Sequence, residues 1–368
     1  MLSVFTILSM LAQTDDPFPE RYSEGFEASH GIRQEQFDQI AGYVERLAEQ
    51  SDETRANGLK LDYSDQDAYA RSLEPLRKRV CERIGFPPPL VETDAKPRWE
   101  EVAKDGYATI YRMWYEVLEG VDVYGILSVP HGLEAKAPLL ICQHGGGGCP
   151  EVIAPFTGDN GDGTFNYGWM VQRALKRGYV TWAPALIFPR AGVEKIEGPS
   201  RIELDKRAKR VGTSILAIEL WKIQRGLDVV LERPEVDAER VGMMGLSYGG
   251  LYTQWATALD PRIKVAVSSC YFNKRKQYSW DDWSFFNYLN EFTDPEICAL
   301  ICPRPLMVEV GDKDELFDVA SARAEAEVAG KHWERLGVPE RFRFVEFEGV
   351  HEFWGGEAYE FVEPFLKP

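Results

Sequence analysis

Short apolar runs alternate with helical patterns from about Tyr107 to the C-terminus, and this alternation constrains the fold more than any other feature. The runs "APLLICQ", "YVTWAPAL", "RVGMMG", "KVAVSSC" and "RPLMVEV" are largely apolar, which is typical of parallel strands covered on both faces. The alternation therefore predicts an α/β fold. We expect a doubly wound, mostly parallel sheet with helices on both faces and its functional site at the carboxyl ends of the strands.

The N-terminal part of the chain follows a different pattern. "QEQFDQIAGYVERLAEQ" has the spacing of an amphipathic helix, with an apolar stripe of Phe37, Ile40, Tyr43, Val44 and Leu47. "YATIYRMWYEVLEGVDVYGILSVP" then predicts an antiparallel hairpin around Glu119 and Gly120. We therefore divide the chain into an apolar segment (1–15), a helical extension (16–98) that packs on the main domain, and an α/β catalytic domain (99–368).

The apolar segment resembles the central part of a secretion signal between Leu2 and Ala12. However, no Lys or Arg precedes that stretch, and Met10 fits poorly three residues before a cleavage after Ala12. The stretch is also too short to span a bilayer. We therefore expect a cytoplasmic protein rather than an exported one, with the segment as a helix packed on the body or on a second subunit.

Composition excludes several classes of partner. The net charge of −17 over 368 residues would repel nucleic acid and an anionic membrane surface. The six cysteines include no CxxC pair, and Cys298 and Cys302 in "CALIC" lack histidines at metal-ligand spacing. We predict reduced cysteines, no metal, no organic cofactor and a small-molecule partner, and we leave a homo-oligomer open.

The segment "RVGMMGLSYGGLYTQ" holds a serine between glycines at the junction of a predicted strand and a predicted helix. Residues 245–249 fit G-x-S-x-G in the strand–helix context that a nucleophile elbow requires. Side chains beside so sharp a turn would collide, which explains the glycines. The pattern predicts Ser247 as a nucleophile at a helix N-terminus that favours negative charge, and a tight turn without chemistry is the alternative.

A serine hydroxyl needs a base to remove its proton. His351 follows the last predicted strand, in "VEFEGVHEFWGG", where a Ser…Asp/Glu…His order along the chain places that base. His30 and His332 lie in charged helical surroundings that indicate surface positions. We therefore predict His351 as the general base.

The carboxylate that orients the base is expected on the loop after the preceding strand. That loop, "GDKDELFD", offers four acidic side chains: Asp312, Asp314, Glu315 and Asp318. We favour Asp314, because it lies just beyond the strand. Asp312 fits a turn cap, and Asp318 fits the N-cap of the next helix.

Acyl transfer also needs N–H donors for an oxyanion. The backbone N–H of Tyr248, which follows the nucleophile, is expected to be one donor. The other is expected from the loop 144–148, where four glycines let a backbone N–H approach a substrate closely. No Gly-Lys-Ser/Thr follows, which excludes a P-loop, and a loop without function is the remaining alternative.

From about Tyr107 to Pro368 the chain resembles the α/β-hydrolase superfamily, and within it the branch of dienelactone hydrolases and acetyl xylan esterases. The pieces that carry the resemblance are "QHGGGG", "RPEVDAERVGMMGLSYGG", "PRPLMVEVGDKDELF" and "EGVHEF". The resemblance implies Ser247 as nucleophile, His351 as base and Asp314 as acid. It also implies an oxyanion N–H from the segment 145–147, for which we name Gly146. The chain departs from the family at Ala185, where relatives often have an acidic residue.

The segment between "AVSSC" and "PRPLMV" is rich in aromatic residues. Trp280, Trp283 and Phe285 are predicted to form a wall for a sugar ring, an aryl group or an acyl group, and a packed excursion with its own small core is an equal alternative. Asp281 and Asp282 beside them indicate a solvated turn rather than ligands for sugar hydroxyls.

These features predict a serine carboxylic-ester hydrolase that forms an acyl-enzyme with a short-chain or carbohydrate (acetyl) ester. A serine peptidase or amidase is one alternative, because "GLSYGG" with "LYTQ" also resembles prolyl oligopeptidase catalytic domains. The chain has no room for the large β-propeller of those proteins. A non-catalytic binding protein of the same fold is the other alternative, and the intact triad argues against it.

Overall fold

The computed structural model describes residues 17–89, 96–154, 156, 165–188, 190–191, 194–195, 197–278 and 280–367. Residues 1–50 and 51–368 form two units. The predicted apolar segment 1–15 lies outside the described residues, and the predicted boundaries at 15/16 and 98/99 stay predictions.

Helix α1 (His30–Gly58) follows a short 3₁₀ turn at Phe26–Ser29. The amphipathic spacing predicted this helix, and its existence is confirmed. The side chains of the predicted apolar stripe are exposed, however, with exposed fractions from 68% at Phe37 to 48% at Leu47.

The strands of the second unit build the surface that carries the site. In chain order they are β1 (Arg98–Lys104), β2 (Ala108–Leu118), β3 (Val121–Pro130), β4 (Ala137–Gln143), β5 (Val180–Pro184), β6 (Arg190–Ala191), β7 (Glu194–Lys195), β8 (Val236–Leu246), β9 (Ile263–Ser269), β10 (Leu306–Gly311) and β11 (Phe342–Phe347). One sheet has the order β1-β2-β3-β5-β4-β8-β9-β10-β11, and β6 pairs with β7. The strands β5, β4, β8, β9, β10 and β11 are parallel, so the predicted mostly parallel sheet is confirmed.

Helices cover both faces of this sheet. The α-helices after α1 are α2 (Gln66–Ile84), α3 (Pro150–Ile153), α4 (Met170–Leu175), α5 (Arg201–Lys209), α6 (Ile215–Val230), α7 (Tyr248–Leu259), α8 (Asp294–Ile301), α9 (Val319–Arg335) and α10 (Ala358–Leu366). Side chains of α2, α6, α7, α8 and α9 form one apolar core, and those of α3, α4 and α10 form a second. Along β4, Leu139 and Ile141 join the first core while Leu140 and Cys142 join the second, as expected for alternating side chains.

Two local predictions have different outcomes. The hairpin is confirmed, since β2 pairs antiparallel with β3 around Glu119 and Gly120, and Gly120 has a φ of +71°. The helix predicted over "FNYGWMVQRALKRG" is wrong in its N-terminal half. Gly168 and Trp169 have φ values of +51° and +56°, so α4 begins only at Met170.

Two further features concern the state of the cysteines and the character of the helices. All six cysteines are free, as predicted. Among the described residues, no helix combines the length and the apolar character that a membrane span requires.

Candidate active site

Ser247 lies where strand β8 turns into helix α7. Its φ of +60° and ψ of −120° are unfavourable for a residue with a side chain, which costs about 1–3 kcal/mol. The N–H of Ser247 donates to the carbonyl of Ser269 at 2.8 Å and helps to hold this conformation. A Cβ at Gly245 would lie 2.5 Å from the backbone of Gly249, and one at Gly249 would lie 2.1 Å from the carbonyl oxygen of Gln143. The turn therefore has the backbone geometry of a nucleophile elbow.

His351 and Asp314 are in direct contact on the loops that follow β11 and β10. Nδ1 of His351 lies 2.9 Å from Oδ2 of Asp314, and Oδ1 accepts the N–H groups of Leu316 (2.8 Å) and Phe317 (3.1 Å). Burial tends to raise the pKa of Asp314, but the hydrogen bonds from His351 and the two N–H groups outweigh it, and the pKa is lowered. The carboxylate thus stays ionised and favours the tautomer with Nδ1–H, which leaves Nε2 to accept a proton.

Two of the other acidic side chains of the loop after β10 accept backbone N–H groups. Asp312 accepts the N–H of Gly349 at 3.0 Å, and Asp318 caps α9 by accepting the N–H of Ser321 at 2.8 Å. The predicted N-cap at Asp318 is confirmed, whereas Asp312 bonds to the loop after β11 and not within its own turn. Because Asp314 alone of these contacts the imidazole, the geometry distinguishes it from its neighbours.

Strand β9 links the turn of Ser247 to the loop of His351. The Ser269 carbonyl accepts the Ser247 N–H, and the Ser269 hydroxyl donates to the carbonyl of Glu352 at 3.1 Å. Next along the chain, the sulfur of Cys270 lies with an Asp314 oxygen and a His351 nitrogen, all within 4.8 Å of one another. In the described part of the chain no hydrogen bond joins the Ser247 hydroxyl to the His351 ring. Catalytic hydrogen bonds are often long before substrate binds, so the predicted pairing stays a prediction.

The Gly-rich loop after β4 lies beside the elbow. A Cβ at Gly145 would lie 3.0 Å from the Cβ of Ser247, and one at Gly146 would lie 3.3 Å from the Tyr248 ring. The N–H of Gly145 donates to the Tyr167 hydroxyl at 2.9 Å, so this N–H is already hydrogen-bonded within the protein. Tyr248 is the first residue of α7, where an N–H has no intrahelical partner. Gly146 and Tyr248 therefore stay the proposed oxyanion donors.

Two further histidines are buried in structural positions. His144 accepts the N–H of Leu186 on Nε2 at 2.9 Å and contacts the Gly145 carbonyl through Nδ1, and burial lowers its pKa to about 4. His332 was predicted at the surface, which is wrong. Its Nδ1 pairs with the Tyr63 hydroxyl at 2.7 Å, and burial lowers its pKa to about 4 as well. Both rings are thus neutral near pH 7.

Aromatic rings lie between the turn of Ser247 and the ring of His351. The Tyr248 ring lies 5.9 Å from that of Trp280 and 4.9 Å from that of Trp283, between ring centroids. Phe317 lies 6.0 Å from Trp280 and 5.7 Å from His351. The predicted wall residues Trp280 and Trp283 therefore adjoin both ends of the site, and their role in substrate binding stays a prediction.

Phe285, the third predicted wall residue, lies deeper. It is buried, its ring is 6.3 Å from that of Tyr288, and Lys209 Nζ lies 4.6 Å from its centroid. With Trp283 it lines a cavity of about 20 Å³, large enough for one water molecule. Phe285 thus packs inside the aromatic segment, as expected for the alternative in which this segment has its own small core.

A buried ion pair underlies the Tyr248 ring. Arg201 Nε lies 2.7 Å from Asp282 Oδ2, with side chains 6% and 1% exposed, and Arg201 also donates to the Tyr252 hydroxyl at 2.6 Å. The Tyr248 hydroxyl donates to Asp282 at 3.0 Å. Sequence reasoning missed this network and placed Asp282 in a solvated turn, which is wrong. No local pattern shows that Arg201, 81 residues earlier, reaches Asp282.

We expect Asp282→Ala to lower the free energy of unfolding by about 3–5 kcal/mol, because the Arg201 cation would stay buried without its partner. Urea unfolding followed by tryptophan fluorescence measures the change. Asp281→Ala is the matched control, since Asp281 is exposed and pairs with Lys206 at the surface, and its unfolding midpoint should stay unchanged. The double variant Arg201→Met/Asp282→Leu should recover most of the loss. Equal midpoints for Asp282→Ala and wild type would contradict the assignment.

No protein-family model matches this chain. Over 127 residues it is 32% identical to "Putative hydrolase YtaP" of Bacillus subtilis, and the match covers 32% of this chain and 42% of that protein. The chain therefore spans less than half the length of this curated relative.

Solved structures match over more of the chain. A "putative acetyl xylan esterase" from Bacteroides fragilis superposes with a TM-score of 0.63 at 16% identity and covers 78% of each chain. A glucuronoyl esterase from Solibacter usitatus gives a TM-score of 0.63 at 18% identity, over 82% of this chain and 94% of the other. At these identities the likeness shows the fold, and the predicted α/β-hydrolase fold is confirmed.

Proposed function

We propose that the protein is a serine carboxylic-ester hydrolase. The observation that carries the proposal is the Asp314–His351 hydrogen bond at the sheet edge where Ser247 lies in a strained turn. Such a turn exposes a hydroxyl beside a helix N-terminus, and a carboxylate-bound imidazole is the base that a serine nucleophile needs. The names of the similar proteins, which include a hydrolase and two esterases, support the same reaction class.

The proposed reaction has two half-reactions. His351 Nε2 takes the proton of the Ser247 hydroxyl while Oγ bonds to the ester carbonyl carbon, and the N–H groups of Gly146 and Tyr248 stabilise the oxyanion. The C–O bond to the alcohol then breaks, and the alkoxide leaves with the proton from His351. Water, deprotonated by His351, attacks the acyl-enzyme, and the acid leaves as Ser247 regains its proton.

We propose a short-chain or carbohydrate ester as the substrate. The aromatic rings of Trp280 and Trp283 beside the elbow suit the apolar face of a sugar or an aryl group. Acetyl xylan and glucuronoyl esters, named for the similar structures, are the first candidates.

The test combines covalent labelling with a substrate panel. A fluorophosphonate probe should add its mass to the peptide that contains Ser247, because only an activated serine reacts. The panel compares p-nitrophenyl acetate, acetylated xylan, a methyl glucuronate ester and a short peptide p-nitroanilide. We expect turnover of the esters and none, or far less, of the amide. Absence of both labelling and ester turnover would refute the proposal, and amide turnover above ester turnover would favour a peptidase.

A further inference from the structure

Two charged side chains that the proposed reaction does not use hold the loop that carries His351. Arg173 of α4 donates to the carbonyl oxygens of Trp354 (2.9 Å) and Gly355. On the other side, both carboxylate oxygens of Glu309 lie 3.2 Å from the N–H of Gly355. Arg173 thus binds the carbonyls, and Glu309 binds an N–H, of the same stretch of backbone, three to four residues beyond His351.

Glu309 also connects this loop with the strands beneath the elbow. It lies on β10, is fully buried, and its carbonyl accepts the N–H of Cys270, the residue after β9, at 2.8 Å. Glu309 also pairs with Ser269 across the parallel strands β10 and β9. Because the Ser269 carbonyl accepts the N–H of Ser247, Glu309 adjoins both the turn of Ser247 and the loop that carries His351.

A carboxylate in this place needs an explanation. Burying a charge is costly, and an apolar residue on β10 would pack between the same neighbours at less cost. Burial raises the pKa of Glu309 to about 7, although the hydrogen bonds from Ser269, Gly355 and Trp354 and the charge of Arg173 oppose that rise. The unusual position of Glu309 is visible in the sequence, because this one acidic residue interrupts the apolar run "LMVEV".

We propose that Glu309 is a positioning residue that holds the loop of His351 in register with Ser247. This inference rests on the proposed function. The ionised carboxylate accepts the N–H of Gly355 with both oxygens, whereas the protonated form has less acceptor capacity and holds the loop more weakly. Catalysis should therefore depend on the protonation of Glu309.

The groups that face Glu309 do not titrate in the same range. Arg173 is the cation that faces Glu309, and burial raises the pKa of the Cys270 thiol and of the Tyr359 hydroxyl well above neutrality. His351 is present in both wild type and a Glu309 variant. A difference between the pH profiles of wild type and a Glu309 variant therefore reports Glu309 itself.

The test is kcat/KM for an active ester from pH 5.5 to 9 in wild type and Glu309→Gln. At pH 8.5, where Glu309 is ionised, we expect the variant to be about tenfold slower, because a misplaced base loses roughly that much or more. At pH 5.5, where wild-type Glu309 is protonated, the two proteins should agree within about twofold. The loss should fall on kcat, with KM nearly unchanged.

Glu325→Gln is the matched control. Glu325 lies on α9, and burial raises its pKa to about 7 as well, with Asp294 and Glu296 adding to the rise. When folding raises the pKa of a carboxyl group, the protein loses stability as the pH rises from the pKa in the unfolded state to the pKa in the folded state. Both variants should therefore remove part of the decline in stability between about pH 4.5 and 7. Only Glu309→Gln should change the pH profile of kcat/KM.

Hydrogen exchange gives a readout that is independent of turnover. The amide of Gly355, which donates to Glu309, should exchange faster in Glu309→Gln than in wild type at pH 8, and the amides of β10 should not. Identical pH profiles and identical exchange in the two proteins would overturn the positioning role while the proposed function stands. A wild type that neither turns over esters nor reacts with the fluorophosphonate would refute the proposed function instead.

Discussion

Replacing Ser247 by alanine should abolish ester hydrolysis, with kcat lowered by roughly 10⁴- to 10⁶-fold. The reason is that the proposed acyl-enzyme cannot form without the hydroxyl, and any remaining rate comes from the oxyanion donors acting on water. The measurement is the steady-state and burst-phase turnover of p-nitrophenyl acetate by wild type and Ser247→Ala. Folding should be unchanged, because the substitution removes a single oxygen atom and keeps the Cβ.

The control for this variant uses the strain at the same position. Ser247→Gly is equally inactive in the proposed mechanism, but glycine tolerates a φ of +60° and a ψ of −120°. We therefore expect the free energy of unfolding of Ser247→Gly to exceed that of Ser247→Ala by about 1 kcal/mol. Ser247→Gly should accordingly unfold at a higher urea concentration. Turnover of esters by pure Ser247→Ala at the wild-type rate would exclude Ser247 as the nucleophile.

Replacing Asp314 by asparagine should lower kcat by about 10⁴-fold with little change in KM. The amide oxygen can still accept the N–H groups of Leu316 and Phe317, which leaves the amide NH₂ facing His351 Nδ1. That arrangement favours the tautomer with the proton on Nε2, and such a ring cannot take the proton of Ser247. Single-turnover kinetics on p-nitrophenyl acetate separates this loss of chemistry from a change in binding.

The matched controls for Asp314 lie on the same loop. Asp312→Asn and Asp318→Asn remove carboxylates that accept only backbone N–H groups, from Gly349 and Ser321. Both variants should keep kcat within about threefold of wild type, because neither residue contacts the imidazole. A drop of equal size in all three variants would indicate a general loss of loop structure. It would remove the distinction between Asp314 and its neighbours.

Much of this protein was predictable because its signals are local. Apolar runs of strand length indicate parallel strands, and G-x-S-x-G between a strand and a helix indicates the elbow, since both patterns are read within one segment. His351 was predicted as the base in the same way, from its position after the last strand, and that role stays a proposal. The prediction for "FNYGWMVQRALKRG" was wrong because the left-handed conformations of Gly168 and Trp169 depend on contacts outside the segment.

The fold class, the strand–helix turn at Ser247 and the chain order of the three proposed triad residues could be predicted from local patterns. Only the folded chain shows which of four carboxylates contacts His351, that Asp282 is buried beside Tyr248, and that Glu309 accepts the N–H of Gly355. The difference follows from the range of the interactions. Backbone conformation and hydrophobic periodicity follow from neighbouring residues, whereas a hydrogen bond or an ion pair forms only between side chains that the packed sheet brings within about 3 Å.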